Sequence, residues 1–267
     1  MTDEVNKRQK EFYENKSKNS ITKIWSYFRN GILNKIRQNI GVQDEIYQLH
    51  KSWLGDLSNK KVLDLGCYEG NSLSYYLASS SAKYIGVDLS EKGINILNRK
   101  FESLPNASGL SVDFLSSDFG EKDFDVIYAY GVLHHFQDTD HLINKLKEKL
   151  KPEGKIISYD PLQTSLPIKF IRTIYRPFQS DRAWEWPFTK KVFYKYQRSF
   201  EIVEKRAILG KTKWFFLINL MPFSAEYKQS KARELHKEDW EKSSVSEKYM
   251  FNCMHLTMLM QNRRETK

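Results

Sequence analysis

Between residues 60 and 160 the chain alternates short apolar runs with segments whose apolar residues recur at three- and four-residue steps. Short bounded apolar runs read as buried strands, and three- and four-residue spacing reads as one face of a helix. The runs predict strands over 62–65, 83–87, 110–115, 124–130 and 156–159. Helices are predicted between them over 71–79, 91–101 and 139–150, the last stopped by Lys151-Pro152-Glu153-Gly154-Lys155. Such alternation predicts an α/β core with a parallel sheet. Before it, Ile21, Ile24, Trp25, Phe28, Ile32, Ile36 and Ile40 mark one helical face, Gly41 a stop, and 43–54 a second helix. After it come an aromatic and arginine-rich stretch (161–198), a sixth strand (200–207) and an apolar run (214–220). A charged helix (224–246) and a last strand (251–261) complete the chain.

At 267 residues the chain suits one large α/β domain with additions. Its net charge of +10 comes from lysines spread along the whole length. That distribution reads as a solvated surface rather than a nucleic-acid interface. Trp25 and Phe28 beside Lys23, Arg29, Lys35 and Arg37 would permit peripheral contact with a membrane. No apolar run approaches the length of a transmembrane helix, and the charged first residues are unlike a secretory signal. Two cysteines far apart, Cys67 and Cys253, point to a reducing, cytoplasmic compartment and away from disulfides or a zinc site.

The chemistry centres on Lys61 to Asn71, KVLDLGCYEGN. A strand, a glycine turn at Gly66 and a helix opened by Gly70-Asn71 form the front of a nucleotide-binding βαβ unit. The turn presents a helix N-terminus and backbone N–H groups at the sheet's C-terminal edge. Asp64 would repel a pyrophosphate but suits a ligand with a cationic amino group. Asp88, about 20 residues beyond the turn, stands where an acid accepts ribose hydroxyls. An NAD-dependent oxidoreductase would need the same two features, but Tyr68 breaks the G-x-G-x-x-G pattern.

This stretch resembles motif I of class I S-adenosylmethionine (SAM)-dependent methyltransferases, D-x-G-C-G-x-G, with Tyr68 in place of the second glycine. Gly131-Val132-Leu133-His134-His135-Phe136 resembles the V-L-H-H segment of the group that includes ubiquinone, menaquinone and natural-product enzymes. The resemblance implies a Rossmann-like seven-stranded mixed sheet, last strand antiparallel, with helices on both faces. N-terminal helices (1–54) and an insertion (161–198) would cap a core formed by 55–160 and 199–267, the latter carrying a further helical cap segment. SAM would be held by Asp64, Gly66, Cys67, Tyr68, Gly70, Asn71, Asp88, Leu89 and Tyr130, with Asp118 and Phe119 at the adenine.

The segment around His134 and His135 would border the sulfonium and the methyl acceptor. Either histidine could take the acceptor's proton, with Asp160 as a base or as the group that orients a histidine. A metal is not expected, because adjacent histidines should point differently. Trp25, Arg172, Arg176, Trp184 and Trp186 are the candidate acceptor-binding residues. The expected activity is methyl transfer to a small molecule at oxygen, by a monomer or homodimer. The alternatives are C- or N-methylation of a quinone-like, sugar or lipid-linked acceptor, and a non-catalytic SAM-binding protein.

Overall fold

The computed structural model describes residues 10–11, 40–175, 177 and 184–263, apart from the side chains of 167, 168, 171, 172, 175 and 216. The expected helix over 21–40, its lid role and Trp25 lie outside the described residues, except for Ile40. So do the Arg172 side chain and Arg176.

Seven strands form one sheet. They are β1 (Lys61–Leu65), β2 (Lys83–Asp88), β3 (Ala107–Ser111), β4 (Phe124–Tyr130), β5 (Leu150–Pro161), β6 (Phe200–Ile208) and β7 (His255–Asn262). Their order is β3-β2-β1-β4-β5-β7-β6. The first five are parallel, and β7 runs antiparallel between β5 and β6. This is the mixed sheet expected from the sequence. The direction of the chain reverses at β1, where β2 lies on one side and β4 on the other. In an open α/β sheet, such a switch point opens a crevice at the strands' C-terminal ends.

Alternation along the strands divides the core into two layers. Leu63, Leu65, Ile127 and Ile156 enter one cluster; Val62, Val126, Tyr128 and Ile157 enter the other. Helices α1 (Val42–Leu54), α2 (Ser72–Ser80) and α3 (Glu91–Lys100) supply the second layer. Helices α4 (Thr139–Lys149) and α6 (Lys190–Ser199) supply the first, and α5 (Leu166–Tyr175) lies in the insertion between. Fully burying one such Leu, Ile or Phe contributes about 1.5–3 kcal/mol. Side-chain caps set the helix starts: Asn71 accepts from Leu73 and Ser74 N–H, Ser90 from Gly93 N–H, and Asp138 from Asp140 and His141 N–H.

Three expected boundaries move, the first being that of the last strand, β7, which begins at His255 rather than at 251. β3 ends at Ser111, so 112–115 leave the sheet. The Lys151–Lys155 turn becomes an interruption within β5, where the register to β4 jumps between Phe124 and Val126. Beyond the insertion lie α7 (Phe215–Asn219), α8 (Ala225–Val245) and α9 (Glu247–Met250). The long α8 has no broad apolar stripe; it buries Ala232, His236, Asp239 and Ser243. Asp239 holds it in place by accepting hydrogen bonds from the N–H groups of Gly210, Lys211 and Thr212, and from the Thr212 and Tyr249 hydroxyls.

His50 ties α1 to the sheet. Its ring is fully buried, with Nδ1 3.0 Å from the Tyr128 hydroxyl and Nε2 2.7 Å from Thr257 Oγ1. Thr257 donates its own proton to Ser158 O, so it accepts from His50 Nε2–H. Burial pushes the His50 pKa down to about 3. The unfolded chain, with an ordinary histidine pKa near ~6.5, binds this proton first as pH falls. Stability carried by neutral His50 is therefore complete above pH ~6.5 and declines as pH falls toward about 3. Urea midpoints measured from pH 7 to pH 4 should fall more steeply for the wild type than for His50→Gln; parallel curves would contradict this.

Candidate active site

The turn from β1 to α2 is built on unusual backbone. Gly66 has φ 70° and Gly70 φ 74°. A Cβ on Gly66 would lie 2.4 Å from Val132 Cγ2, so the loop after β4 packs directly on this turn. Tyr68, the residue replacing a family glycine, also takes a left-handed conformation, φ 47°. Room for its ring comes from Gly93 on α3, whose missing Cβ would meet Tyr68 at 2.6 Å. The substitution is thus accommodated by a second glycine. Cys67 is buried, and burial raises its thiol pKa well above normal, which keeps the sulfur inert.

Three carboxylates stand at or just beyond the C-terminal ends of successive strands. Asp64 on β1 is almost fully buried and accepts a 2.8 Å hydrogen bond from the Tyr84 hydroxyl. Burial, opposed by that bond, raises its pKa to about 6. Asp88 ends β2 and accepts from the N–H groups of Tyr68 and Ser90; its pKa is raised by burial. Leu89 follows it, half-buried. Asp113 stands just beyond β3, half-buried, accepting from Leu115 N–H, while neighbouring Val112 donates to Asp88 O. This row suits a ligand bearing hydroxyls and a positive charge and is hostile to a pyrophosphate. It fits SAM, whose adenosine carries a ribose and whose tail carries an amino group.

Asp113 falls inside the strand predicted over 110–115, and it comes to the sheet edge only because β3 ends at Ser111. Asp118 and Phe119 do not join the row. Asp118 is exposed on the stretch descending toward the start of β4. It lines a surface cavity of about 530 Å³ with Lys61, at the beginning of β1. Phe119 is buried in the core, stacked 6.2 Å from Phe124, with Lys149 Nζ donating to its carbonyl. Tyr130, at the end of β4, stacks 4.6 Å from Tyr159 and exchanges hydrogen bonds with Gln43 of α1. Helix α1 therefore reaches the mouth of the crevice.

The second half of the site follows Val132. Leu133–His135 form a single 3-10 turn. Asp160, in β5 and 1% exposed, accepts at Oδ1 from both the backbone N–H (3.1 Å) and Nδ1 (2.9 Å) of His134. Its Oδ2 is buried with no hydrogen-bond partner among the described residues. His134 Nε2 lies 3.8 Å from Glu185 Oε1. Burial alone would lower the His134 pKa, but the bond to Asp160 and the nearby Glu185 carboxylate raise it to about 9. His135 Nδ1 is 2.8 Å from Trp184 O, and burial together with the charge of His134 lowers its pKa to about 4.

The expectation that the two rings diverge is corrected: their centroids are 4.1 Å apart. Both approach Glu185, which lies between the predicted Trp184 and Trp186 but was not itself singled out. The 161–198 insertion thus reaches the histidines. Trp186 N–H donates to His134 O, Phe188 N–H to Pro161 O, and Trp184 is buried.

Residues 41–204 match the profile of a methyltransferase domain. An uncharacterised protein of Haemophilus influenzae is 34% identical over 112 residues, which are 40% of this chain and 44% of that protein. An uncharacterised methyltransferase of Synechocystis is 26% identical over 202 residues, 72% of this chain and 92% of its own length. The fold is similar to that of the N-methyltransferase NodS from Bradyrhizobium japonicum in complex with S-adenosyl-L-homocysteine. That match has a TM-score of 0.53 at 15% identity and covers 83% of this chain and 87% of that one. The matched profile takes in the glycine turn, the row of acids, the histidine turn and the whole insertion, and the chain belongs to the SAM-dependent methyltransferase family.

Proposed function

We propose that the protein transfers a methyl group from SAM to a small-molecule acceptor, at oxygen. The observation that carries this reading is the contact of Val132 with Gly66. It sets the histidine turn directly against the cofactor turn, as methyl transfer requires. SAM, when bound, supplies a methyl group already activated on a sulfonium. Asp88 and Leu89 would hold the ribose, and Asp64 would lie beneath the tail. Asp113, rather than Asp118, would face the adenine.

The chain's remaining task is to place the acceptor about 3–3.5 Å from the methyl carbon and to receive its proton. The cluster of His134, His135, Asp160 and Glu185 stands where that acceptor would lie. Asp160 is a positioning residue: it fixes both the backbone and the ring of His134. The segment Trp184–Phe188 closes over the cluster and would keep water from it. A free amine needs little help in losing a proton, so a buried imidazole–carboxylate cluster serves a hydroxyl best. Relatives named for small acceptors support the class. One is a ubiquinone biosynthesis O-methyltransferase of Actinobacillus pleuropneumoniae, and another is a phosphoethanolamine N-methyltransferase of Arabidopsis thaliana.

Two measurements check this reading. Calorimetric titration should show Asp88→Asn binding SAM more weakly by about 1.5–3 kcal/mol, the scale of lost charge-assisted hydrogen bonds. Unchanged affinity in the folded variant contradicts the assignment. With an acceptor identified by screening hydroxylated small molecules, His135→Ala should lower turnover by roughly 10²-fold while SAM affinity stays within a few fold. Full turnover in that variant would remove the cluster from the chemistry.

A further inference from the structure

We propose that His134, His135 and Glu185 form a binding site for a divalent transition-metal ion, with zinc the best fit. One ligand atom from each of the three residues lies within 4.8 Å of those from the other two. The residues come from two separate parts of the chain, the turn after β4 and the end of the insertion. They are locked together by the hydrogen bond from Trp186 N–H to His134 O.

The surroundings carry the argument further than proximity does. Metal-ligating histidines characteristically commit one ring nitrogen to a carboxylate or a backbone carbonyl, which fixes the tautomer and aims the other nitrogen. Both rings here do so at Nδ1: His134 to Asp160 Oδ1 at 2.9 Å, His135 to Trp184 O at 2.8 Å. Nε2 is then the ligand atom that each ring presents. The Nε2–Oε1 separation of 3.8 Å between His134 and Glu185 is too long for a hydrogen bond. It lies close to the spacing of ligand atoms around a tetrahedral ion, roughly 3.3–3.4 Å when the metal bonds are about 2.0–2.1 Å. Closing the site draws three ligand atoms that already lie within 4.8 Å of one another toward that spacing.

Two imidazoles and one carboxylate select a first-row transition metal over magnesium or calcium, which prefer all-oxygen shells. Three protein ligands leave a fourth position open, as in catalytic rather than structural zinc sites. An acceptor hydroxyl in that position would lose its proton more readily. This consequence rests on the methyltransferase reading above; metal binding itself does not.

The test uses the full chain, stripped with a chelator and dialysed. Zinc is titrated calorimetrically, and cobalt is followed by its visible absorption, whose intensity reports a tetrahedral site. The wild type should bind one ion per chain. Asp160→Asn, which keeps an acceptor oxygen for His134 but removes the charge behind it, should weaken binding by about 10–100-fold. His135→Ala and Glu185→Gln should weaken it further, with SAM affinity retained as proof of folding. Absence of binding by the wild type overturns the proposal. So does binding that is unchanged in both Glu185→Gln and His135→Ala, which would place the ion elsewhere. Failure of the wild type to bind SAM would count against the methyltransferase reading and leave the metal result standing.

Discussion

The site depends on one buried carboxylate. Asp160 lies within β5, almost wholly out of water, and a bare carboxylate there would cost several kcal/mol. It is compensated by His134, which presents its backbone N–H and its ring to the same oxygen. That pair of hydrogen bonds to one residue fixes the path of the chain as it leaves β4. Because β4 and β5 are neighbours in register, Tyr130 opposite Tyr159, the carboxylate is placed by the sheet itself. Everything beyond it is built on that anchor: the 3-10 turn, the neighbouring histidines and the insertion segment that covers them.

The same turn joins the two halves of the crevice. Val132 fills the space that a side chain at position 66 would need. The glycine therefore meets a packing demand as well as a conformational one. A comparable exchange lets Tyr68 take a left-handed backbone: Gly93, in the first turn of α3, yields the volume its ring occupies. The glycine turn is thus held from both sides, by the loop after β4 and by the helix after β2. Asp88 joins the two by accepting from Tyr68 and Ser90. A site that must bring two ligands within reacting distance gains from such mutual packing, because neither half can shift alone.

The sequence by itself determined the core of the sheet, because its strands are continuous apolar runs and its helices carry regular stripes. It located the glycine turn, Asp64, Asp88 and the histidine pair, since local spacing places them at strand ends whatever the rest of the chain does. It could not place α8, whose docking rests on the polar anchor of Asp239 rather than on an apolar face. It extended β3 through residues that leave the sheet, and so favoured Asp118 over Asp113 at the edge of the crevice. Only the tertiary structure decided that His134 and His135 converge, because side-chain direction in a short 3-10 turn is set by distant partners, Asp160 and Trp184 O. Only the tertiary structure brought Glu185 to them, across some fifty residues of chain, through a backbone hydrogen bond that no local pattern encodes.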